Sequence, residues 1–146
     1  MFTKVKGKTK FMYYPMTTAE TAVAGTVMVM NVTSNLITAY TAGDDNSIVV
    51  GVLRHAITAS SPEYTTLANV EVEVPVEKWV IWSCNSVGTG TAAAADVGTY
   101  ADLDDGVSID VDNSADDMYF ITQYISQTDV RGVLNIGPEC LGTIAD

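Results

Sequence analysis

The chain has 146 residues, 47% of them hydrophobic and 17% charged, which supports a packed core and excludes a disordered acidic tail. Its formal net charge of −11 excludes nucleic acid as the main partner, because phosphate recognition needs a basic face. Val and Thr, with 19 and 18 residues, favour pleated sheet through their β-branched side chains, so the composition points to an all-β protein.

The first ten residues carry Lys4, Lys6, Lys8 and Lys10, four of the seven cations in the chain. The lysines share one parity and would face one side of an extended strand. The opposite parity, Thr3, Val5, Gly7, Thr9 and Phe11, is too thin to anchor a core strand. Residues 1–21 therefore read as a basic N-terminal arm, either a frayed terminus or a strand that forms against a partner's sheet edge. The arm has no apolar centre of the kind a secretory signal carries, and no apolar run approaches the roughly 20 residues of a membrane-spanning helix. Synthesis in a cytoplasm is expected, with Cys84 and Cys140 reduced and no membrane partner.

Residues 22–146 read as a single β-rich domain. Thr26 to Val32 and Leu36 to Tyr40 suit a hairpin around Thr33-Ser34-Asn35, and Asp44-Asp45-Asn46 suits a turn before a strand from Ile48 to Ile57. Val70 to Val76 alternates Val with Glu71 and Glu73, the pattern of a strand with one dry and one wet face, and Pro75 places its end at an edge or bend. Trp79 to Ser83 resumes the sheet, and Val87 to Ala95 reads as a loop or a short helical turn. Thr99–Leu103, Val107–Val111, Met118–Ser126 and Val130–Ile136 are further strand candidates. Only Thr18–Ala24 and Ala92–Ala95 have helical composition. The expected fold is a small β-barrel or β-sandwich of eight to ten strands with at most one or two short helices.

An internal echo runs through the chain. Gly25-Thr26 and Gly98-Thr99 each open a group of short strand, turn, strand, acidic turn and long strand, 73 residues apart. At the same offset Ile48-Val49-Val50 meets Ile121-Thr122-Gln123, which suggests two copies of a small β unit.

Few residues have the spacing of a catalytic set. His55, the only histidine, lacks a nucleophile elbow or a neighbouring cysteine. One His and two distant Cys do not make a zinc site. Asp102, Asp104, Asp105, Asp110 and Asp112 miss the EF-hand spacing and read as turn chemistry plus the wet side of a strand. Gly88-Thr89-Gly90-Thr91 lacks the Lys-Ser or Lys-Thr of a phosphate loop, and Asn31-Val32-Thr33 matches a glycosylation acceptor only by its pattern. Trp79 and Trp82, with Tyr100, Tyr119 and Tyr124, could line a sugar or base platform, but read as core and rim residues of a barrel. No enzyme, cofactor or metal is expected.

Ala24-Gly25-Thr26-Val27 followed by Ile48-Val49-Val50-Gly51-Val52-Leu53 resembles the opening of the small capsid decoration, or cement, proteins of tailed bacteriophages. The block from Val97-Gly98-Thr99-Tyr100-Ala101-Asp102 through Asp105-Gly106-Val107 to Phe120-Ile121 is similar to their repeated unit. The closing Asp129-Val130-Arg131-Gly132-Val133-Leu134 resembles their last strand. The resemblance covers about residues 22 to 136. It implies a virion protein on the outer surface of the head, often trimeric, that bridges major capsid protein subunits and stabilises the expanded shell. It also implies an arm that orders on the capsid, a role that Phe2, Lys4, Lys6, Lys8, Lys10 and Phe11 match in position. A head-fibre base or carbohydrate-binding module using Trp79 and Trp82 is the alternative expectation.

Overall fold

The computed structural model describes residues 1–41, 47–66, 68–114 and 116–136. In chain order the strands are β1 (Phe2–Lys6), β2 (Thr9–Pro15), β3 (Val27–Asn31), β4 (Ile37–Ala39), β5 (Ser47–Leu53) and β6 (Asn69–Pro75). They continue as β7 (Ile81–Cys84), β8 (Val87–Thr89), β9 (Tyr100–Asp105), β10 (Ser108–Asp110), β11 (Tyr119–Ser126) and β12 (Asp129–Leu134). One helical turn, α1 (Pro62–Thr65), and one 3₁₀ turn, Ala94–Asp96, complete the described elements. The fold is all-β, as the Val/Thr excess predicts. No helix among the described residues is long and apolar enough to cross a membrane.

Two sheets form, ordered β1-β7-β12-β11-β9-β10-β8 and β2-β6-β5-β3-β4. Every pair is antiparallel except β8 with β10. Both sheets curl. In the five-stranded sheet, Met16 just after β2 bridges Ile37 of β4 at the opposite edge, and the Thr17 N–H donates to the Ile37 carbonyl at 3.0 Å. In the seven-stranded sheet, β7 runs into β8 across only Asn85 and Ser86, although the two strands stand second and last in the order. Neither sheet closes into a continuous barrel.

The middle of the five-stranded sheet is buried on both faces, whereas its edge strand β2 is half-buried to exposed. Val27, Val29, Val49 and Val52 join Trp82, Tyr119, Ile121 and Val130 in the core between the sheets. Met28, Val50, Leu53, Val70, Val72 and Val74 pack with Met16 and Ile37 inside the curl. A register shift where Met28 and Val29 face Gly51 and Val49 leaves Val50 as the extra residue of a bulge. Gly51 is required there, since a Cβ would stand 2.5 Å from the Glu73 carbonyl oxygen of β6.

The internal echo has a structural counterpart. β3 pairs with β4 on one side and β5 on the other, and β5 pairs with β6. β9 likewise pairs with β10 and β11, and β11 with β12. Each unit opens on a left-handed glycine, Gly25 at φ 85° and Gly98 at φ 92°. The Gly25 N–H donates to the Leu53 carbonyl and the Leu53 N–H to the Thr26 carbonyl, both at 2.8 Å. Gly98, Ile121 and Thr99 repeat this pair at 2.9 and 3.0 Å. Register therefore matches Leu53 with Ile121, not Ile48-Val49-Val50 with Ile121-Thr122-Gln123. The long strand is displaced by five residues from the offset that the sequence suggests.

Several expectations are corrected. The basic segment is not a detached arm: β1 pairs with β7 through Phe2↔Cys84, Thr3↔Ser83 and Lys4↔Trp82, and β2 pairs with β6 over its whole length. This pairing is non-local, so the thin local apolar pattern does not reveal it. Thr18–Ala24 forms turns and an isolated bridge instead of a helix, and Val87–Thr89 is a strand because β10 offers it a partner. The strand from Ile48 ends at Leu53, leaving His55 in the following bend. The turn expected at Asp44-Asp45-Asn46, Cys140 and the C-terminal residues 137–146 lie outside the described residues.

Candidate functional site

Chain entry determines what gathers around β6. β1 lies at the edge of one sheet and β2 at the edge of the other, so the two residues between them, Gly7 and Lys8, link the two layers. Gly7, at φ 104°, makes the crossing, and a Cβ there would stand 2.9 Å from the Val80 Cα. Lysines on both edges also discourage strand addition by stray chains.

Lys4 turns inward. Its Nζ lies 2.7 Å from the Glu73 Oε1 and donates to the Thr9 hydroxyl at 2.7 Å, while that hydroxyl donates to Glu73 at 2.6 Å. Glu73, expected on a wet face, is buried at 8% exposure because the N-terminal strands cover it. Burial opposes its ionisation, but the hydrogen bonds from Lys4 and Thr9, helped by the charges of Lys4 and Arg54, hold its carboxyl below the ordinary value. Arg54, at the end of β5, places its guanidinium 5.6 Å from the centre of the Phe11 ring, a cation–π distance.

Phe2 is not a surface anchor. It is 2% exposed and meets Tyr119 edge-on at 5.7 Å between ring centres. Phe11 is 49% exposed, and Lys6, Lys8 and Lys10 are exposed. The Lys8 N–H donates to the Glu77 carboxylate at 2.8 Å, and its carbonyl accepts from Val76 at 3.0 Å. Lys78 is exposed on the turn that follows β6. Six of the seven cations, Lys4, Lys6, Lys8, Lys10, Arg54 and Lys78, thus lie on or beside β6, its neighbours β2 and β5, and the turn 76–79. Arg131, whose guanidinium donates to the Gln123 side chain at 3.3 Å, stands apart. The Asp-rich strands β9 and β10 adjoin β8, at the other end of the Ile81–Thr89 run from Lys6.

A groove of about 360 Å³ opens beside this cationic corner, lined by Trp79, Val80, Tyr100, Phe120, Val133 and Leu134 among others. Trp79 is 67% exposed, while Tyr100 and Phe120 meet at 5.0 Å between ring centres with their planes tilted by 55°. Trp82 and Tyr119 are core residues, with the Tyr119 hydroxyl donating to the Trp82 carbonyl at 2.6 Å. The difference between the tryptophans was present in the pattern. Val80, Trp82 and Cys84 share the buried parity, and Trp79 falls off it in a turn.

The remaining candidates are structural. His55 is exposed and lies 3.2 Å from Glu71, which also accepts from the Tyr13 hydroxyl at 2.8 Å; no bond from a hydroxyl or thiol nucleophile to this histidine occurs among the described residues. Asp105 accepts from the Val107 and Ser108 amides and the Ser108 hydroxyl, the turn role expected of it. Burial opposes its ionisation, but these bonds hold it below the ordinary carboxylate value. Asp102 is 3% exposed and accepts from the Asp116 amide, so it does not stand on a wet face. No cluster of three or more His, Cys, Asp or Glu suited to a metal ion occurs among the described residues.

Comparison of the chain with family models, curated proteins and solved structures gives no match.

Proposed function

We propose that this chain is a structural protein that docks on the outer surface of a tailed-phage capsid through its cationic corner and stabilises the expanded head. The observation that carries the reading is charge segregation: a chain of net charge −11 gathers six of its seven cations around β6 beside an exposed aromatic groove. Such a corner gives an acidic protein one face on which an acidic surface is attracted and all other orientations are disfavoured. The sequence resemblance supports the capsid as that surface, the major capsid protein as partner, and a homotrimer as the bound form. High negative charge suits a protein needed in many soluble copies.

In purified particles, gel densitometry should give a copy number comparable with that of the major capsid protein. A stoichiometry of a few copies per particle would contradict the proposal.

The exposure of Trp79 beside Tyr100 favours a second reading, a carbohydrate-binding module on a head fibre or host-adhesion protein. Only one of the two tryptophans invoked for it is accessible. A saturable change of tryptophan fluorescence on adding host polysaccharide, at a copy number of a few per particle, would establish this second reading in place of the first.

A further inference from the structure

We infer that the cleft around Arg54 is a binding site for a single carboxylate group carried on a short apolar stem. The inference goes beyond the docking function proposed above and does not depend on it.

Three observations carry it. A cleft of about 310 Å³ lies where the N-terminal strands meet the end of β5, with Ala24, Val52, Leu53, Trp82 and the Phe11 ring among its apolar walls. The charged side chains of its lining are Lys4, Arg54 and Glu73. Lys4 and Glu73 compensate each other at 2.7 Å, and Thr9 donates to the same carboxylate oxygen. Arg54 is left over: among the described residues its guanidinium has neither an ion-pair partner nor a hydrogen-bond acceptor. The Arg54 residue is nevertheless held at two points. Its backbone N–H donates to the Glu71 carbonyl at 3.0 Å, and its guanidinium lies over the Phe11 ring at 5.6 Å from the centre. A guanidinium held by its face keeps its N–H donors free at the edge, so little ordering is required on binding.

The charges define the ligand. The side chains of the lining carry one uncompensated positive charge, and the Met1 ammonium beside them is engaged with the Val107 carbonyl. A monoanion balances Arg54, whereas a dianion would set its second charge against Glu73. A cation would meet Arg54 with like charge, and a neutral ligand would leave the covered guanidinium without an acceptor. The planar carboxylate matches the planar fork of the guanidinium with two parallel hydrogen bonds. The apolar walls then favour a hydrocarbon or aromatic stem behind it. A free organic acid and a Glu side chain of a protein share this chemistry.

The test follows amide resonances of the full-length chain by two-dimensional NMR during titration. The probes are phenylacetate, its neutral analogue phenylacetamide, phenethylamine, sulfate, and a capped Ala-Glu-Ala peptide with its Gln counterpart. Phenylacetate, the capped Glu peptide, or both should give saturable shifts confined to residues 2–4, 11, 24–25 and 52–54; phenylacetamide, phenethylamine and the Gln peptide should give none. Phenylacetate alone identifies a free acid as the ligand, and the peptide alone a protein side chain. Arg54→Gln should weaken binding roughly 10- to 100-fold, the range for a charged hydrogen-bonded pair, and far more than Lys10→Gln does. Arg54→Lys should restore only part of it, because the fork is lost. Phe11→Leu, which keeps the apolar wall but removes the ring, should weaken binding roughly two- to fivefold. Arg54 and Phe11 are exposed, so circular dichroism of the variants should match the parent. No response to either carboxylate, sulfate bound as tightly as the carboxylates, or equal losses from Arg54→Gln and Lys10→Gln overturns the inference. The capsid reading is judged separately. Particles decorated by a parent chain that answers no carboxylate would keep the docking function and reject this site, whereas saturable carboxylate binding by a chain that decorates no particles would keep the site and reject the function.

Discussion

The Lys4 ammonium lies 2.7 Å from the Glu73 carboxylate and joins the edge strand of one sheet to the second strand of the other. Thr9 completes the contact from β2. A residue expected to reach for a partner instead fastens the chain's own N-terminus. Lys4→Met should cost about 1 kcal/mol by urea unfolding, a figure reduced for the partial exposure of the lysine, and a double-mutant cycle with Glu73→Gln should show coupling of the two changes. A cycle with no coupling would mean that the two residues are only neighbours.

The same contact has a pH signature. A carboxyl whose folded pKa is below its unfolded value stabilises the fold above the unfolded value and loses that contribution as pH falls through the folded one. Glu73, lowered from 4.5 by the bonds from Lys4 and Thr9 against the opposing effect of burial, should therefore stabilise the protein fully at pH 7 and progressively less below about pH 4.5. Asp105 is shifted in the same direction. Lys4→Met should flatten the acid limb of the stability–pH curve while leaving the part due to Asp105. An acid limb identical to that of the parent would contradict the assignment.

Phe2→Ala should destabilise the fold by about 3 kcal/mol, the cost of emptying a buried aromatic site, and should not act as a surface change. Removing residues 2–11 should do more, because it takes β1 from one sheet and the first three residues of β2 from the other and uncovers Glu73. Thermal unfolding measures both. A truncated chain with the parent's midpoint would restore the detached-arm expectation.

How far the fold could be read from the sequence is clear at β6. The alternation of Val70, Val72 and Val74 gives the strand and its apolar face correctly, since period 2 is a local property. The fate of Glu73 on the other face was hidden, because the cover comes from Lys4 and Thr9 more than 60 residues earlier. The site divides in the same way. The lysines were legible as a basic cluster, but Arg54 and Lys78 join it only through sheet pairing. The groove depends on residues from four separate segments.

The paired glycines test the repeat. Gly25 and Gly98 have nearly the same positive φ, 85° and 92°, but different surroundings. A Cβ at Gly98 meets nothing within 4 Å, whereas at Gly25 it would stand 2.8 Å from the Phe2 carbonyl oxygen. Gly98→Ala should cost about 1 kcal/mol, the strain of the backbone conformation alone, and Gly25→Ala clearly more, as measured by chemical denaturation. Equal losses would contradict the described packing of β1.

Cys84 should be inert in the native state. Burial pushes its thiol up to about 11, so little thiolate exists at pH 8. A thiol reagent should modify it only as fast as the protein opens, and rapid stoichiometric labelling without denaturant would contradict its place in the core.

The central claim, that the cationic corner is the face on the capsid, is tested most directly by amide hydrogen exchange on the full chain, free and bound to expanded heads. New protection is predicted in residues 6–10 and 76–80, with exchange in β8 to β10 unchanged. Protection confined to β8, β9 and β10, with the lysine-bearing turns exchanging as in the free protein, would contradict it.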